Sequence, residues 1–407
     1  MSGRGTASGV RGESQAFSGN RPGATCPCEQ TDRQLRAGVF FDGTNNNRFR
    51  DEPRQGHTNV VRLYNVYKDT STDREVYRKL YILGVGSMDE DERQRQAERE
   101  RAAVADRNFA VRWGTAVSSR ASQMVDTGEN IAGMAGGHGG HDRLNQAYFW
   151  LKDRCLEVPE QSTRTVDVFG FSRGASLART FVNLVNMALR TTVPTINVRF
   201  VGVYDTVGSF GRAGDDSEPG QNLYVDGTDA QSIHHFTARH EYRHNFPLTI
   251  ITGVDVEYPG AHSDVGGSYE PRDAQGKLNH LAFVTFRDMY QRGRLFRMWN
   301  ANWTTQLHAI TEQGVADLQQ QSARLAGPET KPLESHARFS DDQRQFFATY
   351  VHESAVRPRG WISGLWNDGV GGHLTNVGNK LDESGQRRYI TQRRLRLKGT
   401  PPDFDWE

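Results

Sequence analysis

The chain has 407 residues, which at about one domain per 150 residues allows two or three domains, or one large α/β domain carrying insertions. Fifty Lys and Arg against 49 Asp and Glu leave a formal charge of +1, so nothing electrostatic points to a nucleic-acid partner and none is expected. Hydrophobic residues are sparse at 36%, yet 20 Phe, 13 Tyr and 7 Trp exceed what a disordered chain carries, and a folded core is expected.

Residues 1–31 are rich in Gly, Ser, Arg and Thr and hold little to bury, which predicts a flexible tail. The tail has no apolar signal-peptide core, and no run of 18 apolar residues occurs anywhere, so the expectation is synthesis in the cytoplasm and export by another route. Cys26, Cys28 and Cys155 make neither a disulfide framework nor a zinc site.

The apolar run 37–41 predicts a buried strand that enters a polar turn at 42–47. A helix with Val60, Val61, Leu63, Tyr64 and Tyr67 on its apolar side follows, and then a second strand at 79–85. The charged stretch 88–120 breaks this rhythm and reads as part of an insertion or cap over 88–135. Leu144, Ala147, Tyr148 and Leu151 fall at helical spacing after a Gly-rich turn. Strands are predicted at 165–171, 198–204 and 248–256, with a helix over 177–189. Alternating strand and helix imply a mostly parallel α/β sheet, here a catalytic domain over 32–300. Residues 301–407 read as a mostly helical cap or membrane-contact region, in which Trp361, Ile362, Leu365 and Trp366 share one helical face.

Gly170-Phe171-Ser172-Arg173-Gly174 fits the G-x-S-x-G elbow between a predicted strand and a predicted helix. A serine needs such a turn to lift its hydroxyl above the sheet, and the helix amides behind it favour developing negative charge. Serine also needs a base and an acid, in the chain order Ser, Asp or Glu, His. Asp205 ends the next predicted strand and His262 follows the one after, so both fall at the carboxyl edge of the sheet. Asp264 and Asp255 are alternative acids; Asp264 is so close to His262 that it fits better as a cap of the turn at Gly266 and Gly267. The oxyanion donors expected are the amide of Arg173 and that of Gly43 or Thr44. His240 and His244, with His234 and His235 nearby, lack the Glu of a zinc helix, and 42–47 lacks the spacing of a calcium loop. No metal and no cofactor is expected.

Several motifs in order, Phe41-Asp42-Gly43-Thr44, Thr58 to Arg62, Gly84-Val85-Gly86, the elbow extended to Ala175, Val203 to Gly208, Glu241-Tyr242-Arg243, His262 to Gly267 and, more weakly, Val351 to Ser354, resemble the type VI secretion phospholipase effector family. The resemblance implies an α/β-hydrolase fold, a triad of Ser172, Asp205 and His262, and cleavage of fatty-acyl esters of membrane glycerophospholipids. It also implies delivery into the periplasm of a target cell, with a secretion-spike protein and a cognate immunity protein as partners. His352, inside the last motif, is the alternative base. The expected activity is thus a serine phospholipase A; a soluble esterase or thioesterase, or a catalytically silent binding module, fits the same residues.

Overall fold

A computed structural model describes residues 33–87, 138–208, 220–241, 246–325, 339–352, 395–398 and 404–406. Six parallel strands form one sheet: β1 Gln34–Phe41, β2 Glu75–Ile82, β3 Arg164–Phe171, β4 Ile196–Tyr204, β5 Ser232–Ala238 and β6 Asp255–Tyr258, in the spatial order β2-β1-β3-β4-β5-β6. The helices are α1 Arg48–Asp51, α2 Asn59–Val66, α3 His138–Cys155, α4 Arg173–Leu184, α5 Arg190–Thr192, α6 His262–Gly266, α7 Leu281–Gly293, α8 Glu312–Leu325 and α9 Asp341–Tyr350. The short antiparallel pair β7 Leu397–Lys398 and β8 Asp405–Trp406 stands apart from the main sheet.

A parallel sheet is covered on both faces, so its strands read as near-continuous apolar runs rather than alternating ones. In β1, Leu35, Ala37, Val39 and Phe41 point into one core, which α3 fills with Leu144, Ala147 and Leu151 and α4 with Leu177, Phe181 and Val182. Phe40 points into the opposite core, with Phe169 of β3, Val60 and Leu63 of α2, and Phe283 and Phe286 of α7. Fully burying one such side chain contributes roughly 1.5–3 kcal/mol, so the pattern of β1 commits it to the centre of three layers. The result is an α/β-hydrolase-like architecture, as the alternation of elements predicts.

Three departures from the sequence reading have local causes. The second strand lies earlier, at Glu75–Ile82, because Gly84 and its neighbours turn into the loop that packs on Gly43. The fifth strand is Ser232–Ala238, whose paired histidines hide an otherwise alternating run, and the expected strand at 248–256 keeps only its end, within β6. The helix after the elbow starts at Arg173 and widens into a π turn at Val185–Leu189.

The stretch 88–135 and the positions Trp361, Ile362, Leu365 and Trp366 lie outside the described residues, as does the tail. Beyond residue 300, Val315 and Leu318 of α8 and Phe346 and Phe347 of α9 are buried in the same core as α7. Among the described residues, no helix is long and apolar enough to cross a membrane.

Candidate active site

In an open α/β sheet the functional crevice opens beyond the carboxyl ends of the strands, where the strand order reverses. Here that point lies between β1 and β3, and it carries the 42–47 loop and Ser172. Ser172 sits between β3 and α4 with φ 59° and ψ −126°, a conformation that costs an L residue about 1–3 kcal/mol. Its amide donates to the Tyr204 carbonyl at 3.1 Å, and its carbonyl accepts from Val207 at 3.2 Å. The backbone bonds thus hold the strained turn against the end of β4. Gly174 is required there, because a Cβ would come within 2.2 Å of the Asp42 carbonyl oxygen.

Asp205 follows β4 and is also left-handed, at φ 36°. Its amide donates to the Phe236 carbonyl at 2.7 Å, and its Oδ1 accepts from the Ala238 amide at 2.8 Å. Oδ2 then lies 2.6 Å from Nδ1 of His262, the first residue of α6. Both side chains are buried. The imidazole is wedged between Phe171, at 4.4 Å between ring centres, and Phe246, at 4.8 Å. A carboxylate at this distance favours the Nδ1–H tautomer of the ring, in which Nε2 carries no proton. Ser172 and His262 line one cavity of about 310 Å³, together with Thr44, Asn46, Arg50 and Ser268.

The loop opposite the elbow begins at Asp42, whose buried carboxylate gathers three donors. Oδ1 accepts from the Gly43 amide at 2.8 Å and the Thr58 hydroxyl at 2.6 Å, and Oδ2 accepts from the Tyr81 hydroxyl at 2.5 Å. Burial nevertheless outweighs these bonds and pushes its pKa up to about 6. The Gly43 amide is therefore engaged by its neighbour's side chain, while Thr44 lines the cavity. Burial also lowers the Arg173 guanidinium to about 10.

The alternative site residues meet each other instead. Asp264 Oδ2 accepts from the amides of Ala261 and His352, both at 2.9 Å, and its Oδ1 lies 2.6 Å from His352 Nδ1. Asp264 thus caps the start of α6 rather than the turn at Gly266. His352 stacks on Tyr269 at 3.8 Å between ring centres and does not line the cavity with Ser172. Asp255 pairs with His235 Nδ1 at 2.7 Å.

His235 is the contributor that the sequence reading weighed only as a metal neighbour. Its Nε2 accepts from the Thr206 amide at 3.1 Å, which secures the turn just past Asp205. His240 Nδ1 accepts from the Gly260 amide at 2.9 Å, and His244 lies outside the described residues. Among the described residues, no group of three or more His, Cys, Asp or Glu could hold a metal ion.

A model of the type VI secretion phospholipase effectors, Tle1-like, catalytic domain, matches residues 36–189 and 187–292, more than half of the chain. The chain belongs to the Tle1-like phospholipase effector family. Membership makes it a hydrolase of the phospholipase effector class, and an effector of the type VI system that is secreted into target cells. The structure of the Tle1 effector bound to the VgrG spike of the type 6 secretion system is similar in fold, with a TM-score of 0.51 at 18% identity over 80% of this chain and 85% of that one. An uncharacterized protein from Pseudomonas aeruginosa has a TM-score of 0.49 at 19% identity, over 80% of this chain and 53% of that one. Comparison with curated proteins gives no match.

Proposed function

We propose that this Tle1-like effector is a phospholipase A that works through an acyl-enzyme, with Ser172 as nucleophile, His262 as base and Asp205 as the orienting acid. The observation that carries the reading is the 2.6 Å contact between His262 Nδ1 and Asp205 Oδ2 beside a cavity that Ser172 and His262 share.

In this reading Ser172 Oγ attacks the fatty-acyl carbonyl while His262 Nε2 takes its proton. The amides of Arg173 and Thr44 stabilise the tetrahedral oxyanion, and Gly43, engaged by Asp42, shapes the loop that presents Thr44. Collapse breaks the ester bond, and the imidazolium returns the proton to the departing lysophospholipid oxygen. Water, deprotonated by His262, then attacks the acyl-Ser172 ester; the acyl–Oγ bond breaks, the imidazolium returns the proton to Ser172 Oγ, and the fatty acid leaves. No step calls on a metal or cofactor. A membrane glycerophospholipid is the substrate, the periplasm of the target cell is the site of action, and a secretion spike and a cognate immunity protein are the partners.

The test is mass spectrometry of bacterial phospholipids treated with wild type and with Ser172→Ala. Fatty acid and lysophospholipid from wild type alone support the reading. Release of a phosphorylated headgroup or diacylglycerol would exclude it.

A further inference from the structure

A second, larger cavity of about 540 Å³ adjoins the catalytic one across α1. Arg50 and Asp51 of this helix line the catalytic cavity, while Arg48 and Phe49 line the second. Lys79 and Arg143 add two more cations to its wall, and Asp142 is the carboxylate facing them, so the lining is cationic. Lys79 Nζ is held by the carbonyls of Tyr64, at 2.8 Å, and Tyr67, at 3.1 Å. Arg143 is fixed by the carbonyls of Leu83, Gly84 and Ser87, at 2.7–2.8 Å. Carbonyl partners orient the Lys79 ammonium without neutralising it.

Arg48 is different. It forms an ion pair with Glu52 at 3.8 Å, too long for a hydrogen bond, and its buried Nε has no hydrogen-bond partner among the described residues. Its guanidinium lies over the rings of Tyr64, at 4.7 Å, and Tyr81, at 5.7 Å, which hold its plane in place. Beside it Phe49 is 66% exposed, a large apolar side chain at the mouth of a cationic cavity.

We infer that this cavity binds the phosphate headgroup of an anionic glycerophospholipid at a bilayer surface, with the Arg48 guanidinium in its wall facing the phosphate and Phe49 inserted at the interface. The inference rests on the phospholipase reading and locates its membrane contact. A planar guanidinium in the wall suits a phosphate oxygen, and two further cations suit its charge. The Arg48 guanidinium lies 5.1 Å from the centre of the Phe49 ring, and a free anion would leave the exposed part of that ring in water, whereas a bilayer interface accepts an aromatic ring next to basic residues. The contact also reaches the reaction loop. Tyr81 Oη accepts from the Arg48 amide at 2.9 Å and donates to Asp42, which precedes Gly43 and Thr44.

The test is co-sedimentation of the full chain, in a Ser172→Ala background that leaves the lipid intact, with vesicles of phosphatidylcholine alone or mixed with phosphatidylglycerol. Arg48→Gln should weaken binding to the anionic vesicles about five-fold, the effect of one cation near such a surface. Phe49→Ser should weaken binding to both vesicle types about ten-fold, as expected for an apolar side chain withdrawn from the interface. Millimolar inorganic phosphate should leave vesicle binding in place. Folded variants that both bind like their parent would overturn the inference, and so would displacement by inorganic phosphate, which would mark a free-anion site. Should Arg48→Gln melt early, Phe49→Ser decides alone, because that side chain is exposed. Hydrolysis of the same vesicles by wild type is scored separately: undiminished binding with no fatty acid released sinks the phospholipase reading and spares this one.

Discussion

Asp205→Asn is the substitution whose consequence the geometry fixes most tightly. Among the described residues the wild-type carboxylate accepts from the Ala238 amide at Oδ1 and from His262 at Oδ2. An Asn side chain keeps one acceptor and gains one donor. Ala238 N–H claims the oxygen, because the reversed amide would face one donor with another and leave buried groups unpaired at about 1–3 kcal/mol each. The amide nitrogen then faces His262 and donates to Nδ1. The ring proton moves to Nε2, which can no longer take a proton from Ser172. Shape and volume are unchanged, so the fold should survive. The loss expected from a wrong tautomer in such a triad is about 10⁴ in kcat, or about 5 kcal/mol of transition-state stabilisation. Fatty-acid release from mixed micelles gives kcat, and a thermal melt checks folding. A folded variant within ten-fold of wild-type kcat would refute the assignment of Asp205.

Other perturbations separate the site from its scaffold. A Cβ on Gly84 would fall 1.7 Å from the Gly43 carbonyl oxygen, so Gly84→Ala should cost about 1–3 kcal/mol in urea melts and lower kcat, whereas Gly227→Ala, with open space around it, should do neither. His352→Gln should lower stability but reduce kcat less than ten-fold, since His352 braces α6 through Asp264; a loss near 10⁴ in a folded protein would make it the base instead. Acid lability should come partly from His57, which burial pushes down to about 2. Its unfolded form takes up a proton near pH 6.5 and the native form does not, so stability falls as pH drops through that value, by about 2 kcal/mol between pH 7 and 5. The raised pKa of Asp42 works the other way, favouring the native state as pH falls below about 6. Urea melts of His57→Gln at both pH values should show a smaller drop than wild type; an equal drop would remove His57 from the explanation.

Much of the site is legible in the sequence because its parts are local. The elbow is five contiguous residues, and Asp205 follows the apolar run of β4 that a parallel sheet demands, whereas the strand before His262 is the short, half-exposed β6. What pairs with what is not local. Asp264 lies two residues from His262 yet bonds to His352, 88 residues away, and only folding reveals that the two histidines serve different carboxylates. Strand β5 is hidden for a related reason. His234 and His235 interrupt its apolar pattern, and His235 is buried there because Thr206 and Asp255 satisfy both of its ring nitrogens. The engagement of the Gly43 amide by Asp42 likewise depends on how the loop closes, which residue types alone do not fix.

The most direct test of the central claim is to react the full chain with a fluorophosphonate and map the adduct by peptide mass spectrometry. The account predicts a single phosphonylated residue, Ser172, formed in parallel with loss of lipid hydrolysis and formed far more slowly in Asp205→Asn. An unmodified Ser172 in an enzyme that the reagent inactivates, or an adduct on another serine, would contradict it.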